Sequence, residues 1–227
     1  AEILIDHAWG YEHCTIKDIK KYKPVTNSLS QGQVLHVPYS YTKAKIVVRE
    51  MAELISLDMV EKGFVTDTIV LTVGYDIENL KDKKIKNNYS GEIVKDHYGR
   101  NVPKPAHGTI RINHKTSSTK IISDHLISLY EKIVNPFLLI RRINVAVCDL
   151  TKKEQTKKKI QYEQFDLFSN QEEIDNNNKK ILEDEKKEEK VVTTILKIKK
   201  KYGKNSILKG IDLIDGATTK DRNNQIG

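Results

Sequence analysis

Leu138-Leu139-Ile140-Arg141-Arg142-Ile143-Asn144-Val145-Ala146-Val147-Cys148 is where the fold declares itself. Ile143, Val145 and Val147 recur at every second position, the period of a strand with one apolar face. Pro136 closes the segment before it, residues 119–134, where Ile122, Leu126, Leu129 and Ile133 recur at helical steps. Ser117 or Ser118 can cap that helix. Further back, residues 108–113 and 67–75 read as strands, the latter rich in β-branched residues. Residues 39–62 form a helix on the face made by Ala44, Val48, Met51, Ala52, Ile55 and Met59. Ser40 or Thr42 caps it and Gly63 stops it. A short alternation at 33–37 supplies the first strand. The order β-α-β-β-α-β predicts an α+β domain over 27–150, a βαββαβ unit whose four-stranded sheet carries both helices on one face.

If both helices cover one side, the other side of the sheet is wet. Arg111 and Arg142 belong there, and residues 111–142 hold six Lys/Arg (Arg111, Lys115, Lys120, Lys132, Arg141, Arg142) against Asp124 and Glu131. A positive sheet face flanked by helix N-termini is a phosphate-binding surface; the alternative is a solubilising outer face. The central strands carry almost no aromatic residues, so base stacking on the sheet is not expected.

The flanks differ in character. Residues 1–26 hold a short apolar start and then Thr15-Ile16-Lys17-Asp18-Ile19, which opens like a capped helix. They begin abruptly, as if cut from something larger. A polar insertion at 76–106 contains Asp96-His97-Tyr98-Gly99, which reads as a hairpin tip. Beyond 150 a charged tail begins, with a basic linker at 152–159 and a Lys/Glu-rich helix at 179–201. That helix is either solvated or a partner-binding surface.

The chain has 227 residues, 38% hydrophobic and 31% charged, with a formal charge of +8. This balance favours an anionic partner such as nucleic acid. Cys14 and Cys148 lack neighbours at metal-ligand spacing, so no structural zinc site is expected, and free thiols suit a reducing interior. No apolar run approaches the ~18 residues of a membrane span. The expected setting is cytoplasmic, with no membrane association.

Gln164-Phe165-Asp166-Leu167-Phe168 lies in a polar, charge-rich stretch. A Leu-Phe pair there suits insertion into a partner's pocket. The pentapeptide resembles the bacterial sliding-clamp-binding motif, with Phe165 where Leu is commoner. The alternative is a short turn that packs Phe165 and Phe168 onto the preceding domain.

Asn27-Ser28-Leu29-Ser30-Gln31-Gly32-Gln33-Val34, the βαββαβ order, Ile140-Arg141-Arg142-Ile143-Asn144-Val145 and the clamp-like motif together resemble the C-terminal part of a Y-family translesion DNA polymerase, of the UmuC type of Gram-positive bacteria. Asp6-His7-Ala8-Trp9-Gly10 resembles the end of that family's thumb, and 201–205 with 221–227 its C-terminal tail. The resemblance implies a thumb end and tether at 1–26, a DNA-gripping little finger at 27–150 and a clamp-binding tail at 151–227. It implies DNA contacts from Ser28, Ser30, Arg111, Lys115, Ser117, Ser118, Lys120, Arg141 and Arg142, and a sliding clamp as second partner. It also implies no catalytic residue, metal or cofactor in this chain, because the Mg2+-holding carboxylates belong to a palm that should precede Ala1. Asp67, Asp76 and Asp149 are scattered at strand ends. Two other readings stand beside it, a self-standing nucleic-acid-binding regulator and a clamp-binding adaptor that does not touch DNA.

Overall fold

The computed structural model describes residues 2–12, 14–22, 27–155 and 171–225. Two short helices come first, α1 (Glu2–Ala8) and α2 (Ile16–Lys21). Thr15 caps α2 and Asp18 reciprocates, as the sequence predicts, and the Thr15 hydrogen bonds hold the Asp18 carboxyl below its usual range. Trp9, Ile16, Ile19 and Tyr22 are all exposed in this segment.

The main domain runs β1 (Leu29–Tyr39), α3 (Tyr41–Lys62), β2 (Phe64–Tyr75), α4 (Glu78–Lys81), α5 (Lys83–Asn88), β3 (Ile93–Lys95), β4 (Asn101–Pro103), β5 (Ala106–Thr116), α6 (Thr119–Ile133) and β6 (Ile140–Cys148). Its antiparallel sheet has the order β1-β6-β2-β5. A short β7 (Thr151–Lys152) pairs with the start of β2 and adds a fifth strand to the four expected. Ser40 caps α3, Gly63 ends it, and Ser118 caps α6.

The core lies between one sheet face and the two long helices. Ile69, Leu71 and Val73 of β2, Ile143, Val145 and Val147 of β6, and Leu35 of β1 meet Val47, Met51, Ile55 and Met59 of α3 and Ile122, Leu126 and Tyr130 of α6. Tyr130 donates to the Tyr41 carbonyl at 2.8 Å, and burial pushes its phenol well up. Asn27 and Leu150 clasp the two ends of the unit, with the Leu150 N–H donating to the Asn27 carbonyl and the Asn27 side chain to that of Leu150.

The first strand is longer than the alternation at 33–37. Ser30, Gln31 and Gly32 extend it because β6 offers them a ladder (Ser30 opposite Ala146, Gly32 opposite Asn144), which overrides their weak strand preference. The insertion folds as two short helices and the β3–β4 hairpin. The tail supplies α7 (Gln171–Tyr202), a single-turn 3-10 helix at Gly210–Leu213, and α8 (Thr219–Asn224). It packs onto the main domain. Lys200 meets Glu61 at 2.7 Å, Lys209 meets Glu53 at 3.1 Å, and Lys153 pairs with Glu189.

Candidate nucleic-acid interface

A two-residue period sends alternate side chains of each strand away from the core. On the open face they fall into rows that cross the sheet. One row is Ser30, Ala146, Val70 and Thr109; the next is Gly32, Asn144, Thr72 and His107. Arg111 lies beyond the first, opposite Thr68, which faces Cys148. Arg142 lies beyond the second, between Val34 and Gly74. These rows hold no acidic residue. The first row is made of small and medium side chains, and Gly74 keeps the Arg142 end clear, since a Cβ there would stand 3.3 Å from the Arg142 Cβ. His107 is held by Thr72 at 2.9 Å.

Arg111 and Arg142 are both exposed, and among the described residues neither makes an ion pair or side-chain hydrogen bond. Cys148, level with Arg111, lies six positions along β6 from Arg142. At ~3.4 Å per residue that separates the two guanidinium anchors by about 20 Å along the strands. The major groove of B-DNA is ~12 Å wide, so two long side chains at that spacing straddle it.

The other sequence-predicted contacts divide into two groups. Ser28 and Ser30 are exposed at the start of β1, and Ser30 is on the open face. Arg141, by contrast, sits at the irregularity where Gly74 faces Arg142 but Tyr75 faces Ile140. It donates to the His36 carbonyl at 2.9 Å and pairs with the nearly buried Asp76 at 3.5 Å. Lys115 is also engaged, donating to the Asp149 carbonyl at 2.7 Å and the Thr151 hydroxyl at 2.6 Å. Ser117 is half-buried.

At the head of α6 the tail intervenes. Ser118 donates to one oxygen of Glu188, and the Lys120 backbone N–H donates to the other at 3.1 Å. One turn earlier in α7, Glu185 accepts from Thr116 and meets His114 Nε2 at 3.1 Å. The Glu185 hydrogen bond raises His114, against a smaller effect of burial. Burial pushes Glu185 up, but the hydrogen bonds from His114 and Thr116, with the charges of His114 and Lys153, outweigh it and hold the carboxyl low. The helix terminus read as a phosphate site therefore holds a carboxylate of the same chain. Sequence reasoning missed this because the two partners lie about 70 positions apart.

Asp67 and Asp149 both accept from the Thr68 hydroxyl, at 3.0 and 3.2 Å, while Asp76 lies at the far end of the sheet. Among the described residues no three His, Cys, Asp or Glu side chains are grouped to hold a metal ion, both cysteines are free, and no helix is long and apolar enough to cross a membrane. Gln164, Phe165, Asp166, Leu167 and Phe168 lie outside the described residues.

An antiparallel β1-β6-β2-β5 sheet backed by two helices, with Arg111 and Arg142 on the opposite face, defines an α+β module of the little-finger kind. The model of the impB/mucB/samB family C-terminal domain matches residues 26–167, and the chain belongs to that family, carrying the C-terminal domain of Y-family DNA polymerases. A solved structure titled "Insertion ternary complex of Dbh DNA polymerase" is similar at 13% identity and a TM-score of 0.32, over 58% of this chain and 32% of that one. The chain thus spans about a third of that polymerase's length. No curated protein matches the chain.

Proposed function

We propose that residues 27–150 grip duplex template-primer DNA through the open sheet face, as the non-catalytic DNA-holding part of an error-prone translesion polymerase that serves DNA damage tolerance in the cytoplasm. The observation that carries this reading is the pair of unpaired, exposed arginines, Arg111 and Arg142, set about 20 Å apart with two rows free of acidic residues between them. Such groups meet phosphates and leave base edges unread, so binding is weak and nearly independent of sequence. Ser28 and Ser30 add hydroxyl donors at one edge. Nucleotidyl transfer with Mg2+ belongs, on this reading, to a palm outside this sequence.

Each phosphate contact contributes about −0.9 to the slope of log K against log salt. Arg111→Ala with Arg142→Ala should therefore flatten the slope on blunt duplex by about 1.8. Arg141→Ala should change it less, because Asp76 already holds that guanidinium. A slope unmoved by the double substitution, or a strong preference for one sequence, contradicts the assignment.

Gln164-Phe165-Asp166-Leu167-Phe168 is the second contact, a tether to the sliding clamp in which Leu167 and Phe168 fill an apolar pocket and Gln164 bonds at its rim. So short a peptide binds at about micromolar affinity. Phe168→Ala should cost ~2 kcal/mol, near thirtyfold, in titration of the clamp, and leave DNA binding unchanged. Equal affinity of the two proteins for the clamp rejects the tether.

A further inference from the structure

The open-face rows hold no Phe, Tyr or Trp, yet the insertion presents a tyrosine at one end of the sheet. Tyr98 stands at the tip of the β3–β4 hairpin with 78% of its surface exposed. Its turn is firmly built. Asp96 Oδ1 accepts from the backbone N–H groups of Tyr98 and Arg100, both at 2.9 Å, and Asp96 Oδ2 holds the Arg100 side chain at 2.7 Å. Gly99 takes the left-handed conformation that this turn needs, at φ 75°. Arg100 lies 4.9 Å from the Tyr98 ring centre, and His97 meets the ring edge-on at 5.5 Å. Lys104 and Glu92 tie the strands at 2.6 Å, and Val102 and Pro103 bury the hairpin's root.

The hairpin adjoins the Arg142 end of the sheet. β4 leads within three residues into β5, whose first residue, Ala106, pairs with Val73, next to the Gly74 that faces Arg142. An exposed ring on a loop held in one conformation loses little entropy on binding, and a ring backed by a guanidinium stacks well against any base. Nothing in the core requires an aromatic at this position.

We propose that Tyr98, backed by Arg100, is a stacking platform for an unpaired nucleic-acid base at the single-stranded end of a duplex seated on the open face. This rests on the DNA-gripping reading above. The aromatic contact missing from the sheet is supplied by the insertion, and it is insensitive to base identity because every base has a π face.

The test compares a blunt duplex with the same duplex carrying a single-stranded overhang, by fluorescence anisotropy at several salt concentrations. Tyr98→Ala should weaken overhang binding about fivefold or more, while blunt-duplex affinity and the salt slope stay as in the unaltered protein. Tyr98→Phe should retain overhang binding. An overhang affinity unchanged in Tyr98→Ala, or an equal loss on blunt duplex, overturns the platform while salt-dependent duplex binding upholds the wider reading. Absence of salt-dependent duplex binding by the unaltered protein overturns both.

Discussion

Glu50 is 1% exposed in the middle of α3, yet it is fully engaged. Its carboxylate accepts from the Thr218 N–H at 2.9 and 3.0 Å, the Thr218 hydroxyl at 2.9 Å and the Thr219 N–H at 2.9 Å. Thr218 is the N-cap of α8 and makes no side-chain cap of its own, so a residue 168 positions away does that work. Arg222, one turn on, reaches Gln33 at 3.2 Å; burial pulls its guanidinium down and the Glu50 charge partly offsets this. Charge-assisted hydrogen bonds to a buried carboxylate are worth about 1.5–3 kcal/mol each to lose, though the freed N–H groups can turn to water once the tail lifts. Glu50→Ala should therefore release the tail by about 2 kcal/mol, seen as faster hydrogen exchange at 216–224 with α3 still protected. Equal exchange in both proteins, or collapse of α3, contradicts this. Glu50 is not among the positions of the apolar face that the sequence marks, Ala44, Val48, Met51, Ala52, Ile55 and Met59. The helix period locates the face, but it cannot name a partner in the tail.

At the scale of elements, α7 shows how much a helical pattern withholds. The sequence predicts a Lys/Glu-rich helix at 179–201, and the structure has it at Gln171–Tyr202. Which side docks was not legible, because the docked face is led by the acids Glu185 and Glu188, with Val192 buried one turn further. Charged residues at helical spacing ordinarily face solvent; here they find donors at the head of α6 and the end of β5. The His114–Glu185 pair gives this contact a pH dependence. His114 is raised above its usual 6.5, so its contribution is complete below 6.5 and fades as pH climbs through the raised value. Glu185 is held below its usual 4.5, so its share is present above 4.5 and lost as pH falls through the lowered value. The contact is strongest between these limits. The melting temperature of the unaltered protein should exceed that of His114→Gln most near pH 5.5, and the gap should shrink above neutrality. A gap constant from pH 5 to 9 contradicts the pairing.

For the molecule as a whole, the two helices and the later strands were legible because their apolar periods are unbroken and their caps (Ser40, Gly63, Ser118) are conventional. The full first strand was not, since Ser30-Gln31-Gly32 belongs to it only through β6. Of the site, Arg111 and Arg142 follow from alternation alone. The different fates of Arg141 and Lys115 depend on a register irregularity and on the turn after β6, which no spacing reveals. The central claim is that duplex DNA lies on the open face and not on the helical layer. Amide chemical-shift mapping during titration with a blunt duplex tests it most directly. Shifts should concentrate at 28–34, 68–74, 107–111 and 142–146, and fade with added salt. Shifts gathered on α3, α6 and α7, with the sheet rows silent, would contradict the account.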